Sequence, residues 1–280
     1  MDQATLAASY TELTLPMFRV HTMALLLLIC LPLAAVVGFV SGRARRKQQL
    51  ANGEAIDPLI GEATFGGIMA LLGLLLAFTF GHALTLAHQQ EQTLIGEASA
   101  IGTAFLRADY LPEAGRNELQ EALLDYAKTR VVPADGQLNN AAKVYAFLET
   151  SLQSQSRLWP ITLAATADPV SDPTKYFVAG AVNEVLDAHL ERMQILSVPV
   201  SDAAKGMMLV CAVVTLALLG NRAGLAGRPL TWRTFVFSGF LFIVMTMVID
   251  LQRGDDGLMR LDDGPLQATI SEMEASLKLR

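Results

Sequence analysis

Between Thr22 and Val40 the chain carries nineteen residues without a charged side chain, with LLLLICLPLAAVV at their centre. A bilayer core takes about 20 apolar residues as helix, and this run fits it. Three more apolar runs follow: Phe65 to Ala87, Gly206 to Leu219 and Thr234 to Ile249. The second spans without help, and the fourth does once Trp232 and Leu251 are counted. The third has only fourteen residues and reaches span length by taking in Val200 to Lys205, which brings Asp202 and Lys205 to a membrane edge, three apart on a helix. Its competing reading is a buried helix of a soluble core. The first run also has a competing reading, a cleaved signal peptide. Its length and the basic cluster after it, Arg43, Arg45, Arg46 and Lys47, favour a retained span.

Composition agrees. Hydrophobic residues make up 52% and charged residues 17%, with mean hydropathy +0.39, where soluble domains run about 25% charged. A net charge of −6 leaves no basic excess for a phosphate backbone, so no nucleic-acid partner is expected. Cys30 and Cys211 both lie in apolar runs, which excludes a disulfide framework or a cysteine metal site.

Charge around the spans sets an orientation. The first short loop holds the four basic residues named above, and the loop between spans three and four holds Arg222, Arg228 and Arg233 with no acid. Residues 84–200 hold fourteen acidic residues against eight basic ones. Basic short loops stay in the cytoplasm. The segment 88–200 and both termini are then expected outside, with the helical domain exoplasmic.

That segment reads as helical. Gln89 to Arg107 continues the second span, with Ala100, Gly102 and Ala104 suggesting close packing. Pro112 to Thr129, Asn139 to Leu158 and Tyr176 to Leu196 each carry apolar residues at helical spacing, and Trp159-Pro160 is expected to stop the middle one. No strand pattern and no internal repeat is found. The organisation expected is an N-terminal segment 1–21, spans one and two in 22–87, an extramembrane helical domain 88–200, spans three and four in 201–251, and a tail 252–280. The fold class is all-α.

Chemistry is sparse. His21, His82, His88 and His189 do not share ligand spacing. No GxSxG, HExxH, P-loop or GxGxxG is present, so no enzyme, metal or cofactor is expected. Asp255-Asp256 and Asp262-Asp263 read as solvated turns, with an acidic collar after span four as the functional alternative.

Span two is the most informative. Gly66, Ala70, Gly73, Ala77 and Gly81 fall on one stripe. Small residues let helices approach in lipid, where packing drives association, so this stripe is a candidate contact between copies of the chain. Beside it run Gly67, Leu71, Leu74, Phe78 and Thr85, apolar to Phe78 and polar after it. In a pore, such a face makes an apolar constriction opening onto a wetter vestibule. The bland alternative is that Leu74 and Phe78 face lipid or a neighbouring helix.

The run LLGLLLAFTFGHALTLAHQQEQTLIGEASAIGTAFLRADYLP, residues 71–112, resembles the bacterial bestrophin-like family of membrane proteins. So do Asn183 to Arg192 and the tail IDLQRGDDGLMRLDDGPLQATI from Ile249 to Ile270. More distantly, the chain resembles the bestrophin anion channels. That resemblance implies a pentamer of four-span subunits, a helical domain between spans two and three, and an apolar neck on span two. By position, Phe78 and Leu74 match the last two neck residues and Ala70 the next. The polar segment after the bestrophin neck is replaced here by Thr79-Phe80-Gly81-His82, and the acidic clasp for calcium has only a loose analogue in Asp250 and Asp255-Asp256. Bestrophin helical domains are cytoplasmic. The basic loops argue the reverse for this chain, and the charges are preferred.

The expectation is a homo-oligomeric ion channel in a lipid bilayer, passing small inorganic ions, anions first. The alternative is a non-conducting envelope protein whose helical domain binds a partner or senses a signal.

Overall fold

The computed structural model describes residues 20–58, 60–132, 141–196, 202–251 and 262–279. Among them the chain is all helix: α1 Val20–Ala51, α2 Glu62–Arg107, α3 Glu113–Thr129, α4 Ala141–Ala165, α5 Asp172–Leu196, α6 Asp202–Leu225, α7 Trp232–Asp250 and α8 Gly264–Lys278. Four of these, α1, α2, α6 and α7, are long and apolar enough to cross a membrane. The third run, short by sequence, sits in a 24-residue helix because Asp202 to Lys205 join its first turn and Gly220 to Leu225 extend its end. Leu25, Leu28, Ile29, Leu33 and Val37 on α1, and Phe240 and Ile243 on α7, are exposed, as lipid-facing side chains are.

The helices divide into two compact units. One holds α1, α2 up to Thr85, α6 and α7. Within it α1 and α6 run parallel and touch backbone to backbone. A Cβ on Gly38 would strike the Ala217 carbonyl, and one on Gly42 the Asn221 carbonyl. From the other side, Gly220 meets the Ala35 carbonyl and Gly224 the Phe39 carbonyl. Gly38 and Gly42 are four apart, as are Gly220 and Gly224, so each helix presents a GxxxG face. Beside this contact Asn221 Nδ2 donates to Ser41 Oγ at 3.0 Å. The sequence reading followed the small residues of span two, and the close approach within the chain is made by spans one and three instead.

The second unit holds α2 from Leu86, then α3, α4, α5 and α8. Its core joins Leu94, Ile101 and Phe105 of α2, Leu119 and Leu123 of α3, Leu158 of α4, Val178 and Val182 of α5, and Leu266 and Met273 of α8. Each is at least nine-tenths buried, and each such side chain contributes roughly 1.5–3 kcal/mol relative to exposure. One sequence expectation is corrected in this unit. Helix α4 does not stop at Trp159-Pro160 but runs through Pro160 to Ala165. Pro160 lies on the exposed side, where water can take the carbonyl it leaves without a donor. The tail, to which the sequence reading assigned no element, also carries a helix. After Asp263 it forms α8, started by Pro265 in its first turn.

Candidate functional site

From Leu72 onward helix α2 has two faces. Leu72, Thr79, Ala83, Leu86, Gln90, Thr93, Glu97, Ile101 and Ala104, and Ala108 just past its end, recur at intervals of three, four and seven and are all buried. The opposite face, centred on Leu74, is open. Leu74 is 52% and Phe78 68% exposed, and Ala70 and Ala77 are exposed with them. A Cβ built on Gly66, Gly73 or Gly81 meets nothing within 4 Å. Only 11% of the most apolar window of α2 is buried, against 44% for α6. The long apolar helix that sequence marks as the site is therefore the one least covered by its own chain.

At 100° per residue, Leu74 and Phe78 lie about 40° apart, and Gly81, Thr85, Gln92, Gly96, Ser99 and Thr103 continue their line. Within about 60° of it, from Ala63 to Thr103, there is no Asp, Glu, Lys or Arg. The stripe of Gly66, Ala70, Gly73, Ala77 and Gly81 lies to one side of the same face. One face is thus apolar and then neutral and hydrogen-bonding, and its flank is small enough to accept another helix.

The buried face carries what the sequence reading missed. Glu97 is fully buried. Arg130 Nε donates to its Oε1 at 2.7 Å, and Arg192 Nη1 to its Oε2 at 2.7 Å. The Tyr126 hydroxyl donates to Oε1 at 2.6 Å and stands 3.0 Å from His189 Nδ1. Glu97 lies ten residues past Ala87, outside the apolar span. Burial alone would push its pKa up, but the guanidiniums of Arg130 and Arg192 overcome it and bring it down to about 2. Burial, helped by Arg130, brings His189 down to about 3, which keeps its ring neutral. Burial and the Glu97 carboxylate raise the Tyr126 hydroxyl well above its usual value. Asp263, read from sequence as part of a solvated turn, joins this cluster. Its Oδ2 accepts the Val132 N–H at 2.9 Å and its Oδ1 stands 3.8 Å from Arg192 Nη2. Asp262 Oδ1 accepts the Gly264 N–H at the start of α8. The cluster thus ties α2, α3, α5 and the start of α8 together.

The signal for Glu97 was present, a single carboxylate among Gly96, Ala98, Ala100 and Gly102. Its partners lie 33 and 95 residues away, which no local spacing reveals. Of the possible membrane-edge charges, Asp250 is buried on α7 and Lys205 half-buried on α6. The Asp202 side chain and Asp255-Asp256 lie outside the described residues. His82 and His88 are exposed on α2. Among the described residues, no three His, Cys, Asp or Glu side chains could together hold a metal.

No protein-family model and no curated protein matches the chain. Solved structures do. A variant structure of a bacterial Bestrophin homolog from Klebsiella pneumoniae superposes with a TM-score of 0.62 at 16% identity, over 91% of this chain and 97% of that one. A second structure of that homolog gives 0.62 at 14% identity, over 89% and 96%. The chain is therefore a membrane protein with the bestrophin-like fold.

Proposed function

We propose that the chain forms a homo-oligomeric ion channel, anion-conducting, whose narrowest part is built by Leu74 and Phe78 with Ala70 on the next turn. The observation that carries this reading is the open face of α2. Within the span, Leu74 and Phe78 lie on that face beside a flank of small residues that another helix can approach, and past Ala87 the same uncharged line leaves the apolar span with hydroxyl and amide side chains. In a ring of copies that line becomes a water-filled path, with an apolar ring that holds back ions because a narrow oil-like pore dewets. The stripe Gly66, Gly73, Ala77 and Gly81 then packs against the neighbouring copy. The bestrophin-like fold supports the same arrangement, and the resemblance favours five subunits.

The two basic short loops support an orientation with the helical domain exoplasmic at the inner membrane. Particle symmetry tests the assembly. A closed ring, five-fold on this reading, is the expected result for the purified protein, and planar-bilayer recording of that ring should show anion current. A monomer would overturn the channel. A ring that carries no current under any condition would leave the non-conducting, partner-binding reading in its place.

A further inference from the structure

The parallel packing of α1 on α6 brings both basic loops to one end of their unit. Arg43, Arg45, Arg46 and Lys47 lie near the C-terminus of α1, and Arg222, Arg228 and Arg233 lie in or after α6. Of these seven, only Arg222 has an acidic partner, Glu62 at 3.0 Å, among the described residues. Packing seats three of the seven. The Arg43 guanidinium lies over the Phe39 ring at 4.7 Å and that of Arg222 over Phe65 at 4.9 Å. Arg46 is packed against the backbone of Gly227. A Cβ there would fall on its guanidinium, and Gly227 has φ 70°. Glycine suits that turn for its left-handed backbone, and a side chain there would have to displace the Arg46 guanidinium.

A guanidinium seated by packing and left without a counter-charge is half of an anion site. Ala226, the residue before Gly227, lines a cleft of about 220 Å³ together with Ile56, Pro58, Leu225 and the Glu62-paired Arg222. Leading away from the basic end, Val36, Val37 and Val40 of α1 are exposed and apolar. A basic rim next to an apolar helix face fits a molecule with a phosphate at one end and acyl chains at the other.

We propose that this end of the α1–α6 pair, where Arg222 lines the cleft, Arg46 packs on Gly227 and Arg228 follows Gly227 in the chain, binds the phosphate of an anionic phospholipid whose acyl chains lie along α1. Basic side chains near an anionic leaflet typically gain about fivefold in affinity each, and here close helix packing gathers several at one point.

The test uses the full chain with Trp159→Phe, which leaves Trp232 at the start of α7 as the one tryptophan. It is reconstituted in phosphatidylcholine with small fractions of bromine-labelled phosphatidylglycerol or bromine-labelled phosphatidylcholine. The expected result is stronger Trp232 quenching by the anionic lipid at equal mole fraction. Arg46→Gln with Arg228→Gln should weaken that preference by roughly 25-fold. A second measurement needs no arginine variant. About 1 M salt shortens the screening length to ~3 Å and should abolish the preference in the parent. Equal quenching by the two lipids would overturn the proposal. So would a preference that survives both high salt and the double substitution. If inorganic phosphate at millimolar concentration displaces the labelled lipid and alone shifts Trp232 emission, the site takes free phosphate and the lipid assignment is wrong.

Discussion

Glu97 is one carboxylate that receives a hydrogen bond from Tyr126 and ion pairs from Arg130 and Arg192. Removing one partner of a buried ion pair typically costs about 3–5 kcal/mol, because the opposite charge is left uncompensated. Glu97→Gln keeps the shape and loses the charge. It should lower the stability of the helical unit by that amount in chemical denaturation of a Trp232→Phe background followed by Trp159 fluorescence. The cluster also sets a pH dependence. His189 is held near 3 when folded against an ordinary 6.5. The unfolded chain therefore binds the proton first, and stability is lost as pH falls from about 6.5 towards 3. Glu97, held near 2 against 4.5, adds a second loss as pH falls from about 4.5 towards 2. His189→Gln should remove the upper part of the slope and leave the lower part. An unchanged slope between pH 6.5 and 5 in that variant would show that His189 is not the group responsible.

At the scale of elements, two sets of glycines do different work. Gly38, Gly42, Gly220 and Gly224 sit where α1 and α6 touch, and any side chain at Gly220 drives into the α1 backbone. Gly73 on α2 faces open space within the chain. Gly220→Leu should therefore disrupt the fold of the span unit, seen as loss of folded protein on size-exclusion chromatography. Gly73→Leu should leave the subunit folded and separate it from its neighbours, since overpacking costs typically about 1–3 kcal/mol per site. An intact oligomer with Gly73→Leu would remove this stripe from the subunit contact.

The same pair shows which elements were legible in the sequence. Runs of apolar residues place α1, α2 and α7, because length and polarity alone decide whether a helix can cross lipid. The face of α2 that holds Leu74 and Phe78 is legible from helical period. Partner choice is not, because Gly38 and Ala217 meet across 179 residues and Glu97 and Arg192 across 95. Pro160 misled because a proline on the solvent side of a helix leaves a carbonyl that water can satisfy. Helix α8 was missed because its two acids, read as a turn, are the residues that start and anchor it.

For the whole molecule, orientation and conduction are separable questions. If the basic loops decide orientation, a reporter active only in the periplasm, fused near Asp135, should be active. Labelling of a cysteine at that site from the cytoplasm would reverse the topology without touching the pore. The central claim is that Leu74 and Phe78 form an apolar ring that limits flux. It is tested most directly by ion flux into liposomes carrying the parent protein, Leu74→Ala with Phe78→Ala, and Leu75→Ala, which points about 60–100° away from those two. With assembly retained, the account expects the double variant to raise flux several-fold over the parent and Leu75→Ala to leave it near the parent. No flux from parent or double variant, in intact oligomers, would contradict the account.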